Sequence, residues 1–380
     1  MNPYDPRQQL ETLESKHLLR RLAPLDSAPG IRIVRDGREL WNFASNDYLG
    51  LSSHPEVSEA FIEGIRKFGT GSTASRLVTG TSAPHTALEE TLACAKSAEA
   101  ALTFTSGYAT ALSAVPVIVG KGDFVVLDKL AHACLIDAAK NSVATLRIFP
   151  HNNVEKLDTL LTKLRKKHSD SRILVITESV FSMDGDLCPL RKITEVCANN
   201  NALLLLDEAH ATGVLGATGM GLAEELGLRE RVDFQMGTFS KALGLSGGYL
   251  AASRAWIDLI VNRARPFIYT TAPPPALAIA ASAAIALVRS DEGKSLRKTL
   301  FANLQQLKAG HPSPIVPLIY GSEAKALDAS ASLLEKGFLI PAIRYPTVPR
   351  NSARLRLTVS AAHPPEAIAA LSAALGSQGG

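Results

Sequence analysis

The chain has 380 residues, a length that favours two unequal lobes over one simple core. A hydrophobic fraction of 46% and a charged fraction of 20% are those of an ordinary globular protein. The net charge of +4 is spread along the chain, apart from one basic cluster of Lys163, Arg165, Lys166 and Lys167 that is typical of a solvated helix face. A nucleic-acid-binding protein usually needs a broader basic surface, so that class is disfavoured.

The cysteines and the apolar segments indicate the compartment. Cys94, Cys134, Cys188 and Cys197 show no C-x-x-C spacing, which predicts free thiols in a reducing environment. The first residues contain no apolar stretch of the kind that a signal peptide needs. The most apolar long stretch, residues 276–288, is far shorter than the roughly 20 residues of a membrane span and predicts a buried helix. A cytoplasmic protein that is not bound to a membrane is therefore expected.

The predicted elements start with a helix and a short hairpin around Asp36-Gly37, which we expect to form an N-terminal arm over residues 1–50. Helical periodicity follows at residues 57–68 and 154–164. Between the helices lie runs that are apolar without alternation, at residues 101–104, 124–127, 173–177, 203–206 and 234–236. Such runs are typical of strands that helices cover on both faces. The pattern predicts an α/β fold with a mostly parallel central sheet.

The C-terminal part begins after a break at Pro273-Pro274-Pro275. A long Ala-rich helix follows, and then a strand at residues 355–359 with flanking helices. These features predict a smaller α+β C-terminal domain. The expected division is an arm at residues 1–50, a large domain at 51–275, and a linking helix with the C-terminal domain at 276–380.

The D-E-A-H sequence at Asp207-Glu208-Ala209-His210 directly follows one of the predicted strands. Ligands of open α/β sheets bind beyond the carboxyl ends of the strands, so this position is a candidate site. A carboxylate buried there needs a cationic partner, either a protonated pyridine nitrogen or a structural Arg or Lys. The same four letters occur in nucleic-acid-dependent NTPases, but these need a phosphate loop. Gly293-Lys294-Ser295 comes nearest to one and lacks the first glycine, because Val288 stands in its place.

Other strand ends carry polar groups of complementary chemistry. Lys241 follows the run at 234–236 among small residues, where desolvation favours the neutral amine that a Schiff-base lysine needs. Thr238 offers a hydroxyl, and Ser106-Gly107-Tyr108 opens a helix whose backbone N–H groups suit an anion. The remaining strand ends carry His132, Glu178 and Ser182. Together the five ends suit one phosphorylated aromatic cation.

These residues resemble the α-oxoamine synthase family of fold-type I pyridoxal 5′-phosphate (PLP) enzymes, over nearly the whole chain. The S-M-D-G-D run at residues 182–186 and the T-F-S-K run at 238–241 are the most specific signals. The other segments that carry the resemblance are residues 46–50, 104–108, 178–181, 207–210 and 354–357. The resemblance implies a fold-type I transferase with PLP as cofactor, and no metal site is predicted.

The resemblance also implies roles for the cofactor residues. Lys241 would bind PLP covalently and act as the general base. Asp207 would pair with the pyridine nitrogen, His132 would stack on the ring, and the phenolic oxygen would meet His210 and Ser182. The phosphate would be held by Gly107, Tyr108, Thr238 and, from a second subunit, Thr271. The catalytic set is Lys241, His132, Asp207 and His210, and a homodimer with shared active sites is implied.

Further segments favour a family member that joins L-alanine to a pimeloyl thioester in biotin synthesis: residues 75–80, 85–90 and 342–349. Arg356 would bind the carboxylate of the amino acid, with Arg354 on the same face of its strand as the alternative. Arg20 would meet the free carboxylate of the acyl chain, although the register could shift this role to Arg21. Asn46 and Thr347 would complete the substrate site. Acyl-CoA and an acyl carrier protein both stay open as the thioester donor.

Several alternatives remain at this point. Glycine acetyltransferase, aminolevulinate synthase and serine palmitoyltransferase belong to the same family, and Arg20 argues for an acyl chain that ends in a carboxylate. A fold-type I aminotransferase would share Lys241 and Asp207 but would need no CoA. An RNA-dependent NTPase lacks its phosphate loop, and a scaffold without activity is disfavoured because no catalytic position is lost.

Overall fold

The computed structural model describes residues 5–308 and 310–376. Its described strands are β1 (Arg32–Arg35), β2 (Arg38–Asn42), β3 (Ala100–Phe104), β4 (Phe124–Asp128), β5 (Thr145–Phe149), β6 (Ile173–Glu178), β7 (Leu203–Asp207), β8 (Phe234–Thr238), β9 (Gly248–Ala252), β10 (Ile315–Gly321), β11 (Phe338–Leu339), β12 (Ala342–Ile343) and β13 (Ala353–Thr358). Its described helices are α1 (Pro6–Ser15), α2 (Pro55–Phe68), α3 (Ala83–Lys96), α4 (Gly107–Ile118), α5 (Ala133–Asn141), α6 (Val154–Lys167), α7 (Leu190–Asn199), α8 (Leu222–Glu225), α9 (Arg254–Arg263), α10 (Arg265–Ile268), α11 (Pro275–Arg289), α12 (Asp291–Leu307), α13 (Glu323–Glu335) and α14 (Pro365–Gly376).

The chain forms two compact units. The larger unit comprises Leu49–Ser182 and Asp186–Thr299, and the smaller unit comprises the described residues up to Tyr48, Met183–Gly185 and those from Leu300 onward. The expected boundaries at residues 50 and 275 stay a prediction. In the structure the larger unit ends at Thr299 rather than near residue 275, because the long apolar helix α11 belongs to the larger unit.

The larger unit is built on a seven-stranded sheet with the order β3-β9-β8-β7-β6-β4-β5. The pairs β4–β5, β4–β6, β6–β7 and β7–β8 are parallel, and β9 runs antiparallel to both β3 and β8. The prediction of a mostly parallel α/β sheet is confirmed. Every strand except β9 therefore ends at the same edge of the sheet, where the candidate residues follow.

Two strands of this sheet are absent from the sequence prediction. Strand β5 lies at the edge, and four of its five residues are partly or fully exposed, so its sequence lacks the continuous apolar run of a buried strand. Strand β9 begins with Gly248 and ends with two alanines, a composition with low strand propensity. Its burial comes from its position between β3 and β8, which no local signal reveals.

Packing against neighbouring helices explains the Ala-rich segment. Helix α11 packs on α2 and α3 in the larger unit. At the α2 contact a Cβ on Gly64 would lie only 2.6 Å from the Ala276 Cα, so the two backbones approach closely and only small residues fit. Among the residues that the structure describes, no helix is both long and apolar enough to cross a bilayer.

The smaller unit contains two three-stranded sheets. One has the order β10-β13-β12, with antiparallel pairs, and the other has the order β1-β2-β11. Strands β1 and β2 form the predicted hairpin, with Asp36 and Gly37 both at positive φ in its turn. Strand β13 matches the predicted strand at residues 355–359 within two residues and is buried along its full length.

Candidate active site

A cavity of about 230 Å³ lies at the carboxyl edge of the large sheet. It collects residues from the ends of five strands: Ser106, Gly107, Tyr108, His132, Cys134, Glu178, Asp207, Ala209, His210, Met236, Gly237, Thr238, Ser240 and Lys241. The strand ends that the sequence singled out therefore meet in one place, because parallel neighbours deliver their C-terminal residues to the same edge.

Asp207 provides the anionic end of the cavity. It is the last residue of β7 and is buried, with its Oδ1 accepting from the Ala209 backbone N–H at 2.9 Å. Burial raises the pKa of Asp207, and the nearby Lys241 ammonium opposes that shift. A desolvated carboxylate in this position is stabilised by a cation in the cavity.

Glu178 is a second buried carboxylate beside Asp207, at the paired position of the adjacent strand β6. Burial and the negative charge of Asp207 raise the pKa of Glu178 well above its usual range. Its Oε1 accepts from the His132 backbone N–H at 2.5 Å, and its carboxylate also accepts from the Ser182 backbone N–H. Glu178 thus orients the two loops that carry His132 and Ser182.

His132 caps the start of α5, where its Nδ1 accepts from the Cys134 backbone N–H at 3.3 Å. Burial lowers the pKa of His132, although the Asp207 carboxylate opposes the shift. A neutral imidazole on the wall of the cavity suits a stacking contact with an aromatic ring better than a charged one does. The same burial, together with Asp207 and Glu178, raises the pKa of the Cys134 thiol, which argues against a thiolate there.

The part of the cavity that the start of α4 forms suits an anion. Ser106 is the N-cap of α4, and its Oγ accepts from the Ala109 backbone N–H at 3.0 Å. Gly107 begins the first turn of α4 next to Thr238, because a Cβ built on Gly107 would lie at ordinary contact distance, 3.6 Å, from the Thr238 Cβ. Thr238 is buried, and its hydroxyl donates to the Gly247 carbonyl oxygen at 2.6 Å. Free N–H groups at a helix N-terminus with an adjacent hydroxyl form a phosphate-binding arrangement.

Two predicted cofactor residues do not line this cavity. Ser182 is buried after β6, with its backbone N–H donating to Glu178. Thr271 is exposed and borders a separate small cavity next to Arg76 and Phe267. The proposed role of Thr271 across a subunit interface needs such an outward position.

The smaller unit places Arg354 and Arg356 side by side on the buried strand β13. The Arg354 Nη1 lies 2.6 Å from the Asp184 Oδ1, so an ion pair already engages this guanidinium. The Arg356 Nη1 donates to the Thr358 hydroxyl at 3.0 Å, and Arg356 also hydrogen-bonds the buried Tyr48. Because Arg354 holds a carboxylate of its own chain, Arg356 is the better candidate for a substrate carboxylate.

The other predicted substrate residues also belong to the smaller unit. Arg20 is exposed and lies within electrostatic range of Arg344. The Arg344 guanidinium donates to the backbone carbonyl oxygens of His17 and Leu19, which positions the segment that carries Arg20. Thr347 is exposed three residues after Arg344. Two guanidinium groups at this end of the unit favour a negatively charged ligand.

Asn46 is partly buried in the smaller unit, and its Oδ1 accepts from the Tyr48 hydroxyl at 3.2 Å. This contact links Asn46 to the residue that Arg356 also contacts. The proposed substrate contacts at Asn46 and Arg356 are thus joined through one tyrosine.

Sequence reasoning missed two lining residues and one buried pair. Cys134 and Ser240 border the cavity, and their proximity in sequence to His132 and Lys241 was the available signal. Lys96 forms an ion pair with Glu208 behind the cavity wall. No local pattern marks Lys96, since it ends an ordinary amphipathic helix.

A family model described as aminotransferase class I and II matches residues 38–375. The chain belongs to this family. The 8-amino-7-oxononanoate synthase of Anaeromyxobacter dehalogenans is 46% identical over 365 residues, which cover 93% of this chain and 90% of that protein. The enzyme of the same name from Geobacter sulfurreducens is 43% identical and covers 93% of both chains.

Solved structures extend the comparison. A serine palmitoyltransferase of S. paucimobilis with bound PLP and myriocin has a TM-score of 0.92 at 28% identity, over 99% of this chain and 97% of that chain. An 8-amino-7-oxononanoate synthase of Francisella tularensis has a TM-score of 0.74 at 25% identity, over 89% of this chain and 98% of that chain. The resemblance to α-oxoamine synthases and the fold-type I prediction are confirmed.

Proposed function

We propose that this protein is a PLP-dependent 8-amino-7-oxononanoate synthase. It would condense L-alanine with a pimeloyl thioester and release carbon dioxide and the free thiol, which is CoA when pimeloyl-CoA is the donor. The observation that carries the proposal is the single cavity that joins Lys241, Asp207 and the N-terminus of α4. Relatives with this name that are 43–46% identical over 93% of the chain support the choice of reaction.

The residues of the cavity fit PLP at three points. The buried Asp207 and Glu178 carboxylates leave a demand for positive charge that a protonated pyridine nitrogen meets. The Gly107 and Tyr108 backbone N–H groups and the Thr238 hydroxyl would hold the phosphate. Lys241 supplies the amine for covalent attachment, while His132, His210 and Ser182 would contact the ring and its phenolic oxygen.

The chain's own residues would then carry out binding and proton transfer. PLP, when bound, supplies an electron sink that stabilises negative charge at the α-carbon of the amino acid. Arg356 holds the carboxylate of alanine through a charge-assisted pair and thereby fixes the direction of the Cα–H bond. The Lys241 Nζ removes the α-proton and later returns a proton to the same carbon. His132 would donate a hydrogen bond to the thioester carbonyl oxygen.

Arg20 would select the acyl chain by pairing with its distal carboxylate, with Thr347 and Asn46 as further contacts. The nearby Arg344 guanidinium strengthens the positive potential around Arg20. The amino acid and the acyl thioester would meet in an active site that Thr271 of a second subunit completes, so the functional unit would be a homodimer.

A serine palmitoyltransferase is the second candidate, because structures with that name share the fold at a TM-score of 0.92. Their identity to this chain is 28%, whereas the curated 8-amino-7-oxononanoate synthases reach 46%. A palmitoyl chain is uncharged at its far end and would gain nothing from the paired Arg20 and Arg344 charges. The charge at this end of the smaller unit therefore favours the shorter dicarboxylic chain.

A matrix of substrates tests the proposal. The purified protein is incubated with alanine, glycine or serine against acetyl, succinyl, pimeloyl and palmitoyl thioesters of CoA, and release of CoA is measured. We expect alanine with pimeloyl-CoA to give the highest kcat/KM. A preference for serine with palmitoyl-CoA would identify the second candidate instead, and transamination of alanine without CoA release would refute both.

A further inference from the structure

A buried ion pair involves Glu208, the residue that follows Asp207 at the end of β7. The side chains of Lys96, at the end of α3, and Glu208 are both 0% exposed, and Lys96 Nζ lies 2.8 Å from Glu208 Oε2. Glu208 follows Asp207 in the chain but does not line the cavity that Asp207 borders. The D-E-A-H sequence therefore places two carboxylates in succession, one towards the cavity and one into the protein.

The pair belongs to a hydrogen-bonded cluster that satisfies both charges. Lys96 Nζ also donates to the Met220 carbonyl oxygen at 2.6 Å and to the Thr212 hydroxyl at 3.3 Å. The Glu208 Oε1 accepts from the Ala223 backbone N–H at 2.9 Å. The Tyr249 hydroxyl contacts Thr212 at 2.8 Å, and its ring lies under the Lys96 ammonium, 5.5 Å from the ring centroid. Because both buried charges have hydrogen-bond partners, the ion pair is a specific structural feature and not an incidental contact.

The cluster also abuts the other strand that supplies the cavity. A Cβ on Gly237 would lie 2.3 Å from the Tyr249 hydroxyl oxygen. The Tyr249 hydroxyl therefore packs against the backbone of β8 one residue before Thr238. The Gln235 side-chain amide donates to the Lys96 carbonyl oxygen at 3.0 Å. The cluster thus includes Glu208, which follows β7, and contacts β8 through the Tyr249 hydroxyl.

We propose that Lys96 is a positioning residue that cancels the charge of Glu208 and thereby keeps Asp207 anionic opposite the pyridine nitrogen of the cofactor. The inference rests on the proposed function. Without Lys96, the Glu208 carboxylate would be an uncompensated buried anion one residue from Asp207. Two adjacent buried anions disfavour ionisation of both, and such a pair loses the charge that a pyridinium needs.

The charged groups around Asp207 and Glu208 determine the direction in which each substitution should shift the pKa values of the site. Asp207 is influenced by groups on every neighbouring element, namely His132 and Cys134 at α5, Glu178 at β6, Lys241 after β8 and Glu208 in its own segment. Glu208 acts on Lys96, Tyr249, Cys188 and Asp207. Burial alone would lower the pKa of Lys96, but Glu208 and Tyr249 together outweigh burial and raise it, so Lys96 stays charged.

Three variants of the holoenzyme test the proposal: Lys96→Met, Glu208→Gln and the double variant. The primary readout is the visible absorbance of the bound cofactor titrated from pH 5 to pH 10. Removing the cation leaves a negative charge and should raise the absorbance midpoint by roughly one pH unit or more, whereas removing the carboxylate leaves a positive charge and should lower it. The double variant should return to within a few tenths of the wild-type midpoint.

Turnover provides a second readout. The acid limb of the kcat profile should move with the absorbance midpoint. Its rise in Lys96→Met should cost about tenfold in rate per pH unit on that limb, and its fall in Glu208→Gln should give a gain of the same size. The Leu161→Ala variant is the control, because Leu161 is fully buried on α6 and its truncation destabilises the protein without changing any charge. Its midpoint should equal that of the wild type.

Midpoints that stay at the wild-type value in both single variants, with loss of thermal stability alone, would overturn the proposal and leave the pair purely structural. If Lys96→Met fails to fold, the Glu208→Gln shift and its reversal in the double variant still decide the outcome. Failure of the proposed function is distinguishable, since wild-type protein would then bind no PLP or release no CoA from pimeloyl-CoA and alanine.

Discussion

At the residue scale, Asp207 is the buried carboxylate of the site that most needs a cationic partner. It is buried at a strand end, next to a second buried carboxylate, and only one cationic side chain, Lys241, is among the described residues that line the same cavity. In the proposed function Lys241 would be used in covalent attachment of the cofactor, and the balance of charge would then depend on a cation that the ligand supplies. The identity of the residue at 207 should therefore affect turnover far more than binding.

We expect Asp207→Asn to retain PLP but to lose most of its turnover, because a neutral amide cannot hold the pyridine nitrogen in its protonated form. Removal of one partner of a buried charge pair costs about 3–5 kcal/mol, and we expect a loss in kcat of the corresponding size. Steady-state kinetics and cofactor absorbance measure both quantities.

Asp233→Asn is the matched control, since Asp233 is a partly buried aspartate that accepts from the Leu204 backbone N–H at 2.8 Å, at the start of β7. It should leave kcat unchanged. Near-normal turnover of Asp207→Asn would show that the pyridine nitrogen has another partner.

The second prediction at this scale concerns Arg20. Loss of an arginine that pairs with an anion should cost about 2–4 kcal/mol of binding, or roughly 30- to 1000-fold in kcat/KM. Arg20→Ala should therefore impair pimeloyl-CoA strongly and an uncharged acyl-CoA of similar length much less. Competition between the two thioesters, followed by product analysis, measures this selectivity.

Arg21→Ala is the matched control for Arg20. The Arg21 side chain is 78% exposed and lies 3.1 Å from Glu14, a surface ion pair of small energetic effect. Arg21→Ala should leave kcat/KM unchanged for both thioesters. An equal loss on both thioesters in Arg20→Ala would make Arg20 structural, and selectivity that is lost in Arg21→Ala alone would transfer the role to Arg21.

At the scale of elements, His151 links the turn after β6 to the end of β4. The His151 Nδ1 lies 3.0 Å from Asp128 Oδ1 at the end of β4, and its Nε2 lies 2.8 Å from Asp186 Oδ2. The edge of the His151 ring packs on Phe181, with the ring centroids 4.3 Å apart. His151 therefore ties both sides of the turn that carries Ser182 to the neighbouring strand end.

This histidine predicts a pH-dependent stability. Burial would lower the pKa of His151, but Asp128 and Asp186 outweigh it and raise the pKa to about 10. The folded-state pKa lies above the unfolded value of about 6.5, so the stabilisation is fully present below pH 6.5 and disappears as the pH rises through 10. Between these values the free energy of unfolding falls with pH through this group.

We expect His151→Gln to lower the free energy of unfolding by about 3 kcal/mol at pH 6 and by much less at pH 10. Urea denaturation at several pH values measures the difference between variant and wild type. The control is His168→Gln, because His168 is exposed at the end of α6. A pH-independent difference for His151→Gln would mean that the ring acts by packing on Phe181 rather than by charge.

For the whole molecule, the proposed active site needs two copies of the chain. Thr271 is exposed on a segment next to Arg76 and outside the PLP cavity of its own chain, which is the position expected of a residue that acts on a partner. Closed twofold symmetry would let each chain supply one Thr271 to the other.

We therefore expect the active protein to sediment as a homodimer and Thr271→Ala to weaken PLP affinity about tenfold or more, since a hydrogen bond to a charged phosphate is worth about 1.5–3 kcal/mol. Equilibrium titration of the apoprotein with PLP measures the affinity. Thr270→Ala, one residue away and partly buried, is the control and should leave the affinity unchanged. A fully active monomer would refute the shared site.

Much of this protein could be predicted from local pattern. Strands β3, β4, β6, β7 and β8 were visible as largely apolar runs, because helices cover both faces and disfavour polar side chains there. The polar residues that end those runs were the site candidates, and nine of the eleven polar or glycine residues named at these ends line one cavity, with Glu208 and Ser182 outside it. Parallel topology explains this success, since it brings successive strand ends to one edge.

Tertiary structure alone decided the pairings between distant residues. Lys96 and Glu208 are 112 positions apart, and nothing local distinguishes Lys96 from a surface lysine. Arg354 and Arg356 are equivalent in the strand pattern, and only the Asp184 carboxylate, 170 positions away, separates their roles. Local sequence sets which side chains are polar and which face they occupy, whereas the partner that neutralises a buried charge depends on which elements the fold brings together.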